Sequence, residues 1–512
     1  MRFFDIRDEI QEAPVSTESI ENERGEITQM KGRDSDRASE FLTTAHQYNS
    51  LTPAQERKLK HKLDRWMIPM LLFTATLGAV DKVTLGTASL YGFQKDENLH
   101  GQQYSWLGSI LSLGALFGMF PNTYLISGLP SAKFMCICSI VWSGMALLLA
   151  ACTNWSELMA VRFLMGTAEC VIIPSVTLIV SRFYTKVEQA PRNAWVFGSW
   201  SSLINGFLAW AIGHVPNDAP LHIWQYLFLI TASVSMAWSI FVFFMLPGTP
   251  MEARFLTEEE KYHVLVRVAE NHTGVESRIW KWDQVLEAVV DPKTWILFFF
   301  DIAINIPNGG LQTFGSIIIK DLGFDSLNAS LLSMPTGIMS TAASVIFSYA
   351  AARWHNRRAL VTMIACCVPI IGTALIHGLP RDNLPGRMVG LYLLYTYFGP
   401  YYVAISLAQA NTAGNTKKVV VFGILYVGYS IGNLIGPQTF RTSQAPEYVG
   451  GVIAMIVCYC VCVGLAGLYW VVTVAANKRK QSGDVPRRES PQGFDGLMDL
   501  SDFKRPGFRY IT

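Results

Sequence analysis

The sequence predicts an all-α membrane protein of twelve spanning helices arranged as two sets of six. Three observations carry that expectation. Of the 512 residues 51% are apolar and only 16% charged, and mean hydropathy is +0.27, a balance too apolar for a soluble protein of several domains. Apolar runs of about 20 residues, the length that crosses a bilayer core as a helix, recur twelve times. A polar stretch from Pro247 to Lys293 separates the sixth run from the seventh.

In chain order the windows are 66–93, 104–125, 134–153, 158–181, 194–214, 223–246, 294–316, 327–352, 359–378, 388–409, 419–440 and 449–474. They set the expected organisation: a cytoplasmic amino-terminal tail over 1–62, a six-helix bundle over 63–246, a cytoplasmic central loop over 247–292, a second bundle over 293–476 and a disordered cytoplasmic tail over 477–512. The fifth window (SWSSLINGFLAWAIG) echoes the eleventh (YVGYSIGNLIGPQTF): both are rich in small residues with an Asn beside Gly, as close packing at a seam between duplicated halves requires. In the central loop Thr257 followed by Glu260 forms a capping box that starts a surface helix. The end of the chain (KRKQSGDVPRRESPQGFDG onward) is rich in Pro, Gly and charge, which predicts disorder.

Orientation follows from the basic residues of the loops. With a cytoplasmic amino terminus the inner loops carry Lys133, Arg182, Lys186, Arg192, Arg353, Arg357, Arg358, Lys417 and Lys418, against Lys95, Lys320, Arg381, Arg387 and Arg441 outside. Both termini are therefore expected in the cytoplasm. Asn154 and Asn328 head glycosylation sequons in the outer loops, whereas the sequon at Asn271 falls on the inner side.

Several classes drop out. A formal charge of +2, with no basic cluster interleaved with aromatics, argues against nucleic acid. The nine cysteines lie mostly in apolar runs without the spacing of a metal site or a disulfide framework, so neither metal nor cofactor is expected. The amino end has charges throughout and no apolar core of signal-peptide length, which leaves the first spanning helix as the insertion signal. An enzyme is disfavoured because no metal cluster, nucleophile with base or phosphate loop is present.

The informative residues are the charges inside the windows. Asp81 and Lys82 lie side by side in the first, Arg162 and Glu169 in the fourth, and Asp301 in the seventh. Each costs roughly 2.5–3.5 kcal/mol at the centre of a spanning helix, so each must face a polar cavity or a partner. Arg162 and Glu169 are seven residues apart, about 700° of helical rotation, hence on one face some 10 Å apart along the axis. A carboxylate in such a site can carry a proton, and a guanidinium can hold a carboxylate-bearing substrate bidentately. Asp81 and Glu169 are the candidate proton carriers, and Arg162 and Lys82 the candidate anion contacts. Each has a structural alternative: Arg162 can snorkel, Asp81 and Lys82 can pair with each other, Glu169 can bond to neighbouring helices, and Asp301 can be a packing residue.

The second set of six offers amides instead. Asn305, Asn308 and Gln312 lie in the seventh window, Gln409 and Asn411 in the tenth, and Asn433 in the eleventh. These are candidate substrate contacts, with helix-to-helix hydrogen bonding as the alternative. In the seventh window Pro307, Gly309 and Gly310 interrupt the amides, which predicts a broken helix lining a cavity.

At these residues the chain resembles the fungal allantoate permease family, the anion:cation symporter branch of the major facilitator superfamily. The matching blocks run from about Leu63 to Val472 and include DKVTLGTASLYG, HGQQYSWLGSI, AVRFLMGTAECVIIP, IPNGGLQTFGSIIIKDLGF, AGNTKKVVV and IGNLIGPQTF. The resemblance implies the major facilitator fold, alternating access, and proton symport of a small organic anion such as allantoate, ureidosuccinate or a vitamin carboxylate. It also implies that Asp81 and Glu169 handle protons and Arg162 the anion. Ala115 and Met119 depart from the aromatic and Gln usual in relatives, implying a larger or more apolar pocket. The expected partners are a small carboxylate, protons and the lipid bilayer, with the functional unit a monomer in the plasma membrane. The competing expectations are a non-transporting nutrient sensor on the same scaffold and a metabolite exporter.

Overall fold

A computed structural model of the chain describes residues 51–198, 200–216, 219–271, 281–354, 356–380, 382–481, 501–504 and 508–512. The expected features over 1–50, 272–280 and 482–500, and Arg381, lie outside them. Among the described residues the chain is helical, without strands. In order the helices are α1 (Pro53–Leu90), α2 (Gln103–Gly128), α3 (Ser131–Leu149), α4 (Trp155–Glu169), α5 (Ile172–Phe183), α6 (Lys186–Val196), α7 (Trp200–Ile212), α8 (Ile223–Met245), α9 (Glu258–Asn271), α10 (Trp282–Val290), α11 (Pro292–Asp321), α12 (Ser326–Arg353), α13 (Arg358–Gly378), α14 (Leu384–Leu394), α15 (Phe398–Asn411), α16 (Asn415–Ile435) and α17 (Val449–Gln481).

Helix occupies every predicted window, and among the described residues nine spans are long and apolar enough to cross a membrane, counting α4 with α5 as one. The windows beyond those nine have local reasons. Helix α7 is only 13 residues long, α14 and α15 are separated by a 3-10 turn over Tyr395–Tyr397, and α11 is long but diluted with amides. Prolines account for two breaks. Pro174 has no N–H to offer the Cys170 carbonyl, and α4 ends at Glu169; Pro400 likewise withholds a donor from Thr396 within the 3-10 turn.

The expected break in α11 does not occur, since the helix runs unbroken past Pro307, Gly309 and Gly310. Its glycines serve close contact instead. A Cβ on Gly309 would lie 2.8 Å from the Asn433 carbonyl oxygen, and one on Gly436 would lie 2.4 Å from that of Ile306. Helix α11 and the end of α16 therefore pack backbone to backbone, as small residues allow in membrane helices. Helices α2 and α4 do the same: a Cβ on Gly114 would meet the Phe163 carbonyl oxygen at 2.1 Å, and one on Gly166 that of Leu111 at 2.1 Å.

Hydrogen bonds lace the first six windows to the last six at the end where α1 finishes. Tyr104 donates to the Thr313 carbonyl (2.8 Å), Ser109 to that of Leu434 (2.6 Å), Lys320 and Ser326 to that of Leu90 (2.9 and 2.7 Å), and Thr442 to that of Gly101 (2.7 Å). Towards the other end Tyr402 donates to the Phe197 carbonyl at 3.3 Å. The echo between windows has a structural counterpart. Asn205 on α7 bonds Thr84 and Thr87 of α1, and Asn433 on α16 bonds Asn308 of α11. Gly206, next to Asn205, lies against Ser330 and Met334 of α12 across the seam.

Two boundaries differ from expectation. Helix α1 begins at Pro53, capped by Thr52, inside the stretch expected as a tail. Its extension is held by ion pairs: Lys60 with Glu188 of α6 (2.9 Å), Asp64 with Arg192 (2.7 Å), and Lys62 with Glu260 of α9 (2.6 Å). The capping box of Thr257 and Glu260 is formed.

The second difference is at the carboxyl end, where residues 501–504 and 508–512 are docked, which corrects for those residues the disorder expected over 477–512. Asp502 is fully buried and pairs with Lys417 (2.7 Å) and Lys293 (3.2 Å), while Tyr510 donates to it (2.8 Å). Asn411 exchanges two hydrogen bonds with Ile511, Asn477 two with Tyr510, and the Arg358 amide donates to the Thr512 carbonyl. Polar composition predicts disorder, yet these residues satisfy two buried ammonium groups and complete side-chain-to-backbone pairs, which offsets their ordering entropy.

Burial alone would raise the Asp502 carboxyl, but Lys293 and Lys417 outweigh it and hold it below its ordinary value of 3.8. Its contribution is thus complete above that value and lost as pH falls through the lower, folded one. Deleting residues 501–512 is expected to lower the melting temperature at neutral pH by several degrees; unchanged melting in a thermal scan would show that the docked segment stabilises nothing.

Candidate functional site

Asp81, Lys82, Trp142, Arg162 and Glu169, from the first, third and fourth spans, converge on one region, and all but Lys82 are buried. Asp81 is buried on α1 and accepts the indole N–H of Trp142 from α3 at 2.5 Å. Gly78, one turn earlier, makes room for that indole: a Cβ there would lie 3.3 Å from the Trp142 ring and 2.8 Å from Ile172. Lys82 turns the other way. Adjacent helical residues diverge by about 100°, so Asp81 and Lys82 do not pair. Lys82 Nζ instead meets Glu169 Oε1 at 2.7 Å.

Glu169 is the last residue of α4, at the break that Pro174 imposes. The Lys82 side chain keeps 26% of its accessible surface and faces the phenols of Tyr426 and Tyr429 on α16, which places the pair on the seam between the two sets of six. Arg162 is 2% exposed; its Nε donates to the Leu107 carbonyl of α2 at 2.8 Å, a reach made possible by the glycine-to-backbone crossing of α2 and α4. Its Nη1 is buried without an acceptor among the described residues. The guanidinium lies within electrostatic reach of Tyr104, Glu169 and Asp81. Snorkelling is therefore not what Arg162 does.

The amides of the last six windows are bonded mainly to one another. Asn305 donates to the Asp301 carbonyl (2.8 Å) and carboxylate (3.2 Å); Asn308 donates to Asn305 and Asn433 (both 3.1 Å) and accepts from Gln312 (2.8 Å) and from the Tyr397 hydroxyl. Asn433 donates to the Tyr429 carbonyl (2.9 Å). Gln312 remains half-buried, whereas Asn305, Asn308 and Asn433 are buried and engaged. Gln409 is exposed near the end of α15, and Asn411 is spent on Tyr469 and Ile511 of the docked carboxyl end. Those two lie away from the charge cluster. A cavity of about 80 Å³ beside Asp321, Arg387 and Glu447 contains none of the candidate residues.

Sequence reasoning missed Trp142, Tyr426 and Tyr429. Trp142 was findable only as the sole indole of the third window; the Gly114 and Gly118 pair, four apart, was the signal for the α2 and α4 crossing.

A helical membrane fold with a charge cluster on an internal seam defines a membrane transporter. The chain belongs to the major facilitator superfamily: residues 70–437 match the model of that family, and the curated relatives place it in the fungal allantoate-permease-like group. It is 38% identical to the MFS-type transporter cnsL of Penicillium expansum over 90% of this chain and 88% of that one. It is 30% identical to the allantoate permease of Saccharomyces cerevisiae over 93% and 90% of the two chains. Among solved structures the nucleoside transporter NupG shares the fold at a TM-score of 0.59 and 13% identity, over 79% of this chain and 99% of that one. The protein is a multi-pass transporter, not an enzyme.

Proposed function

We propose that the chain is a proton-coupled symporter that imports a small organic anion across the plasma membrane, with both termini cytoplasmic and one chain holding the whole site. The observation that carries this reading is Arg162: a buried guanidinium with a spare N–H beside the Lys82–Glu169 pair and Asp81. A buried donor without an acceptor is costly, and a carboxylate is the group that satisfies it best. The relatives support the ligand class, since one of them is an allantoate permease.

Coupling follows from exchange of partners. An entering anion that contacts Arg162 and Lys82 competes with Glu169 for the ammonium. A carboxylate released from its cation in a low-dielectric site favours its neutral form, so Glu169 takes up a proton as the anion binds. Asp81, held by the Trp142 indole and in no ion pair among the described residues, is the second proton carrier. The hydrogen-bonded seam at the α1 carboxyl-terminal end closes one side, and rocking of the two sets of six about the cluster alternates access.

The test is a competition screen of labelled small carboxylates, allantoate first, in cells expressing the chain, at acid and neutral external pH. Accumulation should be uphill and stronger at acid pH. In Asp81→Asn and Glu169→Gln the uphill component should vanish while exchange persists. Unchanged pH-driven accumulation in both variants, or transport confined to neutral or cationic solutes, contradicts the reading; net loss from preloaded cells would make it an exporter.

A further inference from the structure

One buried carboxylate within the spans, Asp301, takes no part in this scheme. Asp301 lies nine residues beyond Pro292 on α11, about 14 Å along the helix, and is 5% exposed. The groups facing it are the Asn305 amide on its own helix, the Tyr401 phenol on α15, the Tyr429 backbone on α16 and the Cys462 thiol on α17. None of these is a cation, and among the described residues no ion pair reaches it. The Asp301 carboxylate terminates a ladder whose Asn305, Asn308 and Asn433 amides are otherwise committed to one another.

Its depth can be placed against the charge cluster. Gly86 on α1 abuts the carbonyls of Gln312 and Thr313, and Leu90 accepts from Lys320, so α1 and α11 run parallel in register. Asp81 is thus level with about residue 307, and Asp301 lies about 9 Å nearer the end opposite the hydrogen-bonded seam. Tyr429 connects the two levels: Lys82 is within electrostatic reach of its phenol, and its ring packs 6.4 Å from that of Tyr401, which faces Asp301. A carboxylate at this depth with no counter-cation is tolerated as the neutral acid, and an intramembrane acid flanked by phenols and amides can exchange that proton with little rearrangement.

We propose that Asp301 is a further proton-binding site, in the last six windows, which gains and loses a proton during the transport cycle. Hydronium entering at one side gives its proton to the carboxylate, forming an O–H bond and leaving water, and that bond breaks with transfer of the proton to water at the other side, with no redox step. The inference rests on the proton-coupled reading above.

Infrared spectroscopy of the purified full chain in lipid tests it through the carboxylic-acid carbonyl stretch over a pH series. The expected result is a band that fades as pH rises, is absent in Asp301→Asn, and persists in Asp81→Asn and Glu169→Gln. If Asp301→Asn is not monodisperse, Asp301→Glu should shift the band without removing it. An Asp301-dependent band constant across the series marks a permanently neutral packing residue and overturns the proposal; so does the absence of any Asp301-dependent band, which marks a permanent anion. Failure of proton coupling itself reads differently, as pH-driven accumulation surviving in the Asp81 and Glu169 variants.

Discussion

Lys82→Met is expected to destabilise the protein by about 3–5 kcal/mol, the cost of breaking a buried ion pair by removing one partner. Glu169 is buried and Lys82 is its only ion-pair partner among the described residues, while Arg162, within electrostatic reach, is held by the Leu107 carbonyl. Glu169→Gln strands an ammonium instead, and its penalty should be smaller, because Lys82 keeps 26% of its side-chain surface accessible. The double variant Lys82→Met/Glu169→Gln should recover most of the stability while remaining inactive, since replacing a buried pair by neutral groups is often tolerated where breaking it is not. Thermal melting of the four proteins checks all of this; a double variant no more stable than Lys82→Met would contradict the pairing.

The second large effect is on transport. Arg162→Lys should reduce anion uptake between about tenfold and a hundredfold, the size of one lost charge-assisted hydrogen bond of about 1.5–3 kcal/mol. The charge survives in that variant, but the planar fork does not: Nε no longer holds the Leu107 carbonyl while a buried Nη1 is left over for the anion. Arg162→Ala should lose uptake altogether. Initial rates in both, with monodispersity as the folding control, decide the point, and near wild-type uptake in Arg162→Lys would show that a point charge suffices.

The spans were legible because hydropathy at bilayer length is a strong signal, and the cluster because charge inside such spans is expensive. Which charges pair was not. Asp81 and Lys82 are neighbours in sequence, yet they face different directions, and the partners that decide their roles, Trp142 and Glu169, come from other helices. Pro307 misled for a physical reason: a membrane helix can absorb a proline when its neighbours pack closely, and Gly309 and Gly436 provide that packing. Pro174, in an apolar run without amides, is where the break falls. The carboxyl end misled through composition, because disorder is read from average polarity while Asp502 and Tyr510 act individually on Lys293 and Lys417. The amides of α11 read as a binding site but are mostly spent on one another, which a linear sequence does not reveal.

The central claim is that anion and proton load together because the anion displaces Glu169 from Lys82. It is tested most directly by following internal pH in proteoliposomes of the full chain when a panel of small carboxylates, allantoate first, is added outside. Uptake should acidify the interior in proportion to the anion accumulated, and Glu169→Gln should uncouple the two, leaving anion exchange without acidification. Accumulation of an anion with no proton movement in the wild-type protein, or coupling left intact in Glu169→Gln, would contradict it.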